Sequence, residues 1–349
     1  MTAALLWALA LSAAGQDPHF SLNQFVGTAV NPANTGLIGS GANHRLTLDY
    51  RSQWTNLWQR NTFQTAFVSY DTRLCQNPEL GSFGFGLNLL HDASGSAPLQ
   101  RNQVHLTASY THLLDRGKRQ DYYLSAGVVG GAIVQRIGNG ERRYDEQFDG
   151  RNYDPTVPGE DFDRQQFTMG DLGLGLLFYS NGKTVTDNGF SIGGSYAHLN
   201  TPEYRFFDND QDVETRLPRR LTLHASGSLQ LSPRSAATAV RMLYMGQGTF
   251  RQLLLGADYR RHFDTKNGVS YSWAPGFAWR RSRYLDTRWH SDALVVSLNI
   301  HAPGLRLGFA YDLSLSSVRN VSNSGAFEVA LQMQFEGKRN CPANCPWEW

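Results

Sequence analysis

His224-Ala225-Ser226 is a first place to look for chemistry, because alternate residues of a strand share a face and an imidazole can activate a neighbouring hydroxyl. Such a pair needs a third group to orient the imidazole, and the sequence identifies no acid or amide for that role. The shared face is also the polar one of an alternating segment, so a wetted wall is the plainer reading. Asp208-Asn209-Asp210-Gln211-Asp212 has the acidic spacing of a calcium loop. Its sixth position is Val213 and its twelfth Arg219, where an EF-hand requires glycine and glutamate. A looser calcium site or a solvated acidic loop remains. Residues 137 to 165 carry eight acids (Glu141, Asp145, Glu146, Asp149, Asp154, Glu160, Asp161 and Asp163) against four arginines, as a solvated surface would. Gly84-Phe85-Gly86 precedes no helix, so its glycines are strand residues and not a phosphate cradle. The three cysteines, Cys75, Cys341 and Cys345, have no histidine at finger spacing. No catalytic residue, cofactor or metal is expected.

The elements that position these residues are strands. From Arg219 to Leu231 the chain alternates: Leu221, Leu223, Ala225, Gly227, Leu229 and Leu231 on one face, Arg220, Thr222, His224, Ser226, Ser228 and Gln230 on the other. Similar segments follow one another from about Asn43 to Phe335 with no helical period between them. They run to about ten residues or more, the length a tilted strand needs to cross a bilayer. The pattern predicts an all-β fold, a transmembrane antiparallel β-barrel of about 14 strands. Leu221, Leu223 and Leu229 should face lipid, and Arg220, His224 and Gln230 the lumen.

Composition agrees. Hydrophobic residues make up 41% and mean hydropathy is −0.41, too polar for a mature transmembrane helix. Aromatics at 12% and 34 glycines suit interfacial girdles and close backbone approach. A net charge of +2 without a basic cluster argues against nucleic acid as a partner. Ala3 to Leu11 is a short apolar core, and Ser12-Ala13-Ala14-Gly15 supplies the small residues that signal peptidase needs, predicting cleavage before Gln16. The segments divide into a signal peptide (1–15), a periplasmic strap or plug (16–42), the barrel (43–335) and a periplasmic tail (336–349). A secreted chain of this kind belongs in the outer membrane of a diderm bacterium, in contact with its lipids.

Fourteen strands are predicted near 43–52, 61–74, 81–90, 102–114, 121–136, 166–180, 188–199, 219–231, 236–246, 250–263, 268–283, 290–300, 303–313 and 324–335. With the first strand outbound, the odd connections are extracellular and include the two longest, 137–165 and 200–218. Even connections such as Gly117-Lys118-Arg119, Ser232-Pro233-Arg234 and His301-Ala302 are tight periplasmic turns, the asymmetry of bacterial barrels. Tyr50, Trp54 and Trp58 then fall at the outer girdle, and Tyr70, Tyr122, Tyr259 and Phe335 at the inner one. His105, Thr107 and Ser109 join Arg220, His224 and Gln230 on lumen faces that either line water or pack a plug. Cys75 falls at a periplasmic turn and Cys341 and Cys345 in the tail. Oxidation in that compartment is expected, either between Cys341 and Cys345 or from one of them to Cys75. Pro342 works against the geometry of the shorter loop.

Asp17-Pro18-His19-Phe20 and Asn31-Pro32-Ala33-Asn34-Thr35-Gly36 resemble the opening of the PorP/SprF family. The likeness continues through Tyr50-Arg51-Ser52-Gln53-Trp54, Ser69-Tyr70-Asp71 and Ser195-Tyr196-Ala197-His198-Leu199-Asn200. It goes on through Leu217-Pro218-Arg219-Arg220, Leu223-His224, Leu305-Arg306-Leu307-Gly308 and Tyr311-Asp312-Leu313. The resemblance implies an outer-membrane protein of the type IX secretion and gliding machinery of Bacteroidota. It implies as partners a secreted cargo protein with a type IX secretion domain and a periplasmic ring or other secretion-system subunits. Asp17, Pro18, Phe20, Asn31, Pro32 and Gly36 are the candidate strap and partner-contact residues, since a simple porin needs no such segment. A passive porin or a hydrophobic-solute channel is the alternative that a barrel alone equally permits.

Overall fold

The computed structural model describes residues 16–337 apart from 40, 54–62, 78–80, 95–98, 139–146, 149–151, 153, 155, 158–163, 183–187, 206–215, 233–235, 265–269, 284–287 and 316–324. The signal segment, the acidic pentad 208–212, Trp54, Trp58, Cys341 and Cys345 lie outside the described residues.

The chain forms a closed fourteen-stranded antiparallel barrel. The strands are β1 (His44–Gln53), β2 (Phe63–Asn77), β3 (Gly81–Ser94), β4 (Leu99–Arg116), β5 (Gln120–Ile137), β6 (Gln166–Gly182) and β7 (Gly189–Ala197). They continue as β8 (Arg220–Ser232), β9 (Ala236–Gln247), β10 (Phe250–Asp264), β11 (Ser270–Arg283), β12 (His290–Ala302), β13 (Leu305–Ser314) and β14 (Ala326–Phe335). Each pairs with the next, and β14 closes on β1 from His44 opposite Phe335 to Gln53 opposite Ala326. Closure pairs every ladder, which hydrocarbon demands of any backbone crossing it. Among the described residues no helix is long and apolar enough to cross a membrane.

Alternation sorts the side chains as the sequence predicts. In β8, Leu223 and Leu229 are exposed on the outer wall, while Thr222 and Ser228 are buried inside. In β6, Leu172, Leu174 and Leu176 point outward, and Phe167, Met169, Asp171 and Tyr179 are buried. Three details differ from the sequence reading. β12 extends to Ala302, so His301 and Ala302 belong to a strand and the turn after it is Pro303-Gly304. β2 extends to Asn77, so residue 75 belongs to a strand and not to a turn. The β9–β10 connection is the two-residue turn Gly248-Thr249, tight although it lies at the end of the long connections. Gly248 there takes a positive φ of 55°, as a two-residue hairpin turn requires.

Of the four apolar clusters among the described residues, three lie between the wall and the amino-terminal segment, and one, Ile133, Phe167, Met169 and Leu217, does not include that segment. That segment carries a single helical turn, α1 (Gly27–Val30), and a 3-10 turn, Pro32–Asn34. Leu22 and Phe25 pack on Leu243, Leu254 and Val295, Ala33 and Leu37 on Tyr123, Leu177 and Tyr179, and Phe20 and Val26 on Phe67. A barrel of this strand number is too wide for its own side chains to fill, and the segment supplies the missing volume. It runs the length of the lumen. Asp17 lies at the end where β4 and β8 begin, and Gly39 at the opposite end beside Gln334. Of the two alternatives, strap or plug, the segment is placed as a plug inside the barrel, because the buried charges of the inner wall find their partners along it.

Candidate functional site: the plug and its docking charges

Three clusters hold the plug. At the long-connection end Asp17 Oδ1 accepts from Arg101 at 2.5 Å, and its Oδ2 pairs with Arg220 and His198, each at 2.7 Å. The Asp17 amide donates to Gln247 Oε1. His198 leaves β7 with a left-handed φ of 56°, a conformation histidine tolerates better than bulky residues. That turn lets its ring bridge Asp17 and Asp171, which also pairs with His105 at 3.0 Å. Burial alone would raise the Asp17 carboxyl, but His198, Arg101 and Arg220 outweigh it and hold it well below the usual range. Burial alone would lower His198, but Asp17 and Asp171 outweigh it and raise it.

In the second cluster Glu328, fully buried, accepts the Ser21 and Leu22 amides at 2.8 and 2.7 Å. Arg51 donates to Glu328, to Ser21 Oγ and to Asp312, and Arg280 donates to Asp312 and Asp292. Ser21 Oγ donates to Asp312 at 2.7 Å. These charges come from β1, β11, β12, β13 and β14, separated by up to 307 residues from their plug partners.

In the third cluster Asn31 Oδ1 caps the 3-10 turn by accepting from Ala33 N, with Pro32 at its first position. Asn31 Nδ2 donates to Leu176 O at 2.9 Å and reaches His224 Nε2 at 3.0 Å. The Gly36 amide donates to Asp71, which forms an ion pair with Arg45, and Arg45 also caps the carbonyls of Asn34 and Leu37. Gly36 has φ +72°, and a Cβ there would press on the Gly84 backbone. Phe20 meets Phe67 edge to face at 6.0 Å, and Pro18 lines a cavity beside them.

All six candidate residues of the amino-terminal segment thus lie inside the barrel. His105, Ser109, Arg220 and His224 pack the plug or its partners, which decides between the two readings of the lumen wall. His224 is engaged by Asn31, and Ser226 Oγ bonds Ser191 Oγ, so neither is set up for nucleophilic attack. Among the described residues no group of three His, Cys, Asp or Glu side chains is placed to hold a metal ion. Sequence reasoning missed Ser21, Arg280 and Glu328. It also missed what the wall glycines do: a Cβ on Gly84, Gly127 or Gly175 would overlap Thr35, Pro32-Ala33 or Asn31 of the plug. The available signal was charge and glycine on inward positions of otherwise ordinary strands. Gly175→Val should expel Asn31 from the wall and open the lumen, read as new protease sensitivity within residues 17–39 of the purified protein. Unchanged protection would show that the plug tolerates the overlap by shifting.

The model of the type IX secretion system membrane protein family PorP/SprF matches residues 12–333. The chain belongs to the PorP/SprF family. It is an outer-membrane component of type IX secretion. No curated protein matches it. Solved structures similar to it include the TodX monoaromatic hydrocarbon channel (ΔS2 mutant), at 9% identity and TM-score 0.45 over 90% of this chain and 94% of that one. A Pseudomonas aeruginosa FadL homologue matches at 10% and 0.44, over 88% and 92%. BamA from Haemophilus ducreyi lacking POTRA domains 1–3 matches at 11% and 0.40, over 85% and 70%. The stretches by which the sequence resembles the PorP/SprF family supply the docking groups. Arg51, Asp71, Ser195, His198, Arg220, His224 and Asp312 all come from them, and all but His198 lie on strands.

Proposed function

We propose that this barrel supports export and surface attachment of one large secreted protein bearing a type IX secretion domain, acting with periplasmic subunits and catalysing no reaction. The observation that carries this reading is the occupied lumen. A porin keeps a water-filled channel. Here the chain's own amino-terminal segment fills it, pinned by the buried ion pairs of Asp17 at one end and by hydrogen bonds to the Arg45–Asp71 wall pair near the other. Two cavities beside it, about 80 and 120 Å³, have room for only a few waters or a small solute, so a scaffold fits better than a conduit. A signal peptide at 1–15 and a periplasmic tail at 336–349 belong to the same proposal, as does a role in gliding.

One observation favours the channel reading. β7 pairs with β6 only from Leu174 to Tyr179, and the smaller cavity, lined by Phe20, Phe67, Leu243 and Met245, also touches Tyr196 and Ala197 of β7. A gene deletion separates the two. Loss of one protein from the cell surface, with bulk secretion and small-solute uptake intact, is the expected result. An unchanged surface alongside reduced uptake of an apolar nutrient would transfer the case to the channel.

A further inference from the structure

Three arginines stand together on the outside of the barrel. The register of β10 and β11 sets Arg251 directly opposite Arg283, and Arg281 opposite Leu253. These positions face outward: Leu255 and Trp279, next along the same faces, are exposed, while Gln252, Leu254 and Arg280 between them are buried. Directly opposed side chains on neighbouring strands have Cβ atoms about 5 Å apart, and like charges there repel. β10 begins and β11 ends at the mouth where Asp17 lies and where the long connections leave, which in a bacterial barrel is the extracellular one.

The wall does not neutralise them. Arg251 Nη1 donates to the carbonyls of Gly248 and Phe250 at 2.6 and 2.7 Å, and Arg281 Nη2 to that of Trp289 at 3.0 Å. Nε of Arg281 and of Arg283 is buried without an acceptor. None of the outward residues around them on β9, β10 and β11, from Tyr244 and Gly246 to Leu255 and Phe277, is acidic. The chain joining β11 to β12 adds Asp286 and Arg288, which cancel in charge. A lone arginine at a membrane interface reaches outward to water, but that habit gives no reason to set one cation across the ladder from another. The surroundings also fit a ligand with an apolar part. Arg281 lies 5.2 Å over the Trp279 ring, and Trp279, Phe277 and Leu255 continue the exposed face toward mid-wall. Gly246 leaves room for Arg251 to lie against β9, since a Cβ there would come within 3.1 Å of its Cδ.

We propose that Arg251, Arg281 and Arg283 dock the headgroup of a phosphorylated lipid of the outer leaflet, with its acyl chains laid along Trp279, Phe277 and Leu255. A phosphate between opposed guanidiniums turns their repulsion into attraction, and the planar forks match its oxygens. The apolar face beneath the arginines favours a lipid over a free ion. The test is to titrate the purified full-length barrel, in an uncharged detergent, with diphosphoryl lipid A, reading bound lipid by native mass spectrometry. Saturable retention is expected, with phosphatidylcholine at least tenfold weaker and excess inorganic phosphate unable to displace the lipid. The double variant Arg251→Gln/Arg283→Gln should bind at least tenfold more weakly. Arg261→Gln, which removes an exposed arginine toward the other end of β10, should bind as wild type does. Heat-induced unfolding adds a readout of opposite sign. Without lipid the double variant should unfold at or above the wild-type temperature, because the repulsion is gone, and it should gain less than wild type when lipid A is added. Equal retention of phosphatidylcholine, displacement by inorganic phosphate, unaltered binding in the double variant, an equal loss in Arg261→Gln, or a lipid-free double variant less stable than wild type would each overturn the site.

Discussion

Replacing Arg51 with methionine should destabilise the folded barrel by about 3–5 kcal/mol, because it removes one partner of a buried charge network and strands the others. Its guanidinium reaches Glu328 at 2.8 Å and Asp312 at 2.7 Å, and both acids are buried. Asp312 keeps Arg280, but Glu328 is left with only the amides of Ser21 and Leu22. The loss should therefore be concentrated in plug docking, with the wall ladders intact. Urea unfolding of protein refolded into lipid vesicles measures the total, and limited proteolysis of residues 17–39 locates it. Pairing Arg51→Met with Glu328→Gln should recover part of the loss, since the second change removes the uncompensated charge. A single variant within about 1 kcal/mol of wild type would mean that water already satisfies these groups.

The second large effect lies on the opposite face of the wall. Leu106 sits near the centre of the eighteen-residue strand β4, with 66% of its surface exposed on the outside of the barrel. Leu106→Arg should cost roughly 2–4 kcal/mol, the depth-dependent penalty for a cation at mid-bilayer. Leu223 also faces outward, but it lies three residues from the beginning of β8. Arginine there is close enough to the interface for its head to reach water, and a cost of about 0–1 kcal/mol follows. The ordering of the two variants is the measurement. Equal costs would place the hydrophobic belt elsewhere along the strands.

The outer wall was legible because one rule governs it. Lipid demands apolar side chains at every second position, so Leu223 and Leu229 announce their face, and the strands follow from that period with ends displaced by a few residues. Closure follows too, since an open edge in hydrocarbon would leave backbone groups unpaired. The inner wall obeys no comparable rule. Thr107, Ser109, Arg220 and His224 are equally acceptable against water or against protein, so their polarity leaves the content of the lumen open. Residues 17–42 have no period of their own, and their structure is one helical turn and one 3-10 turn. What orders them is the set of groups that closure brings together. Ser21 meets Glu328 and Asp17 meets Arg220 only after fourteen strands have curled into a ring. Strand, face and membrane thus rest on local periodicity. The plug, its direction through the lumen and its charged docking points rest on contacts as far as 307 residues apart, which only the closed tertiary structure creates.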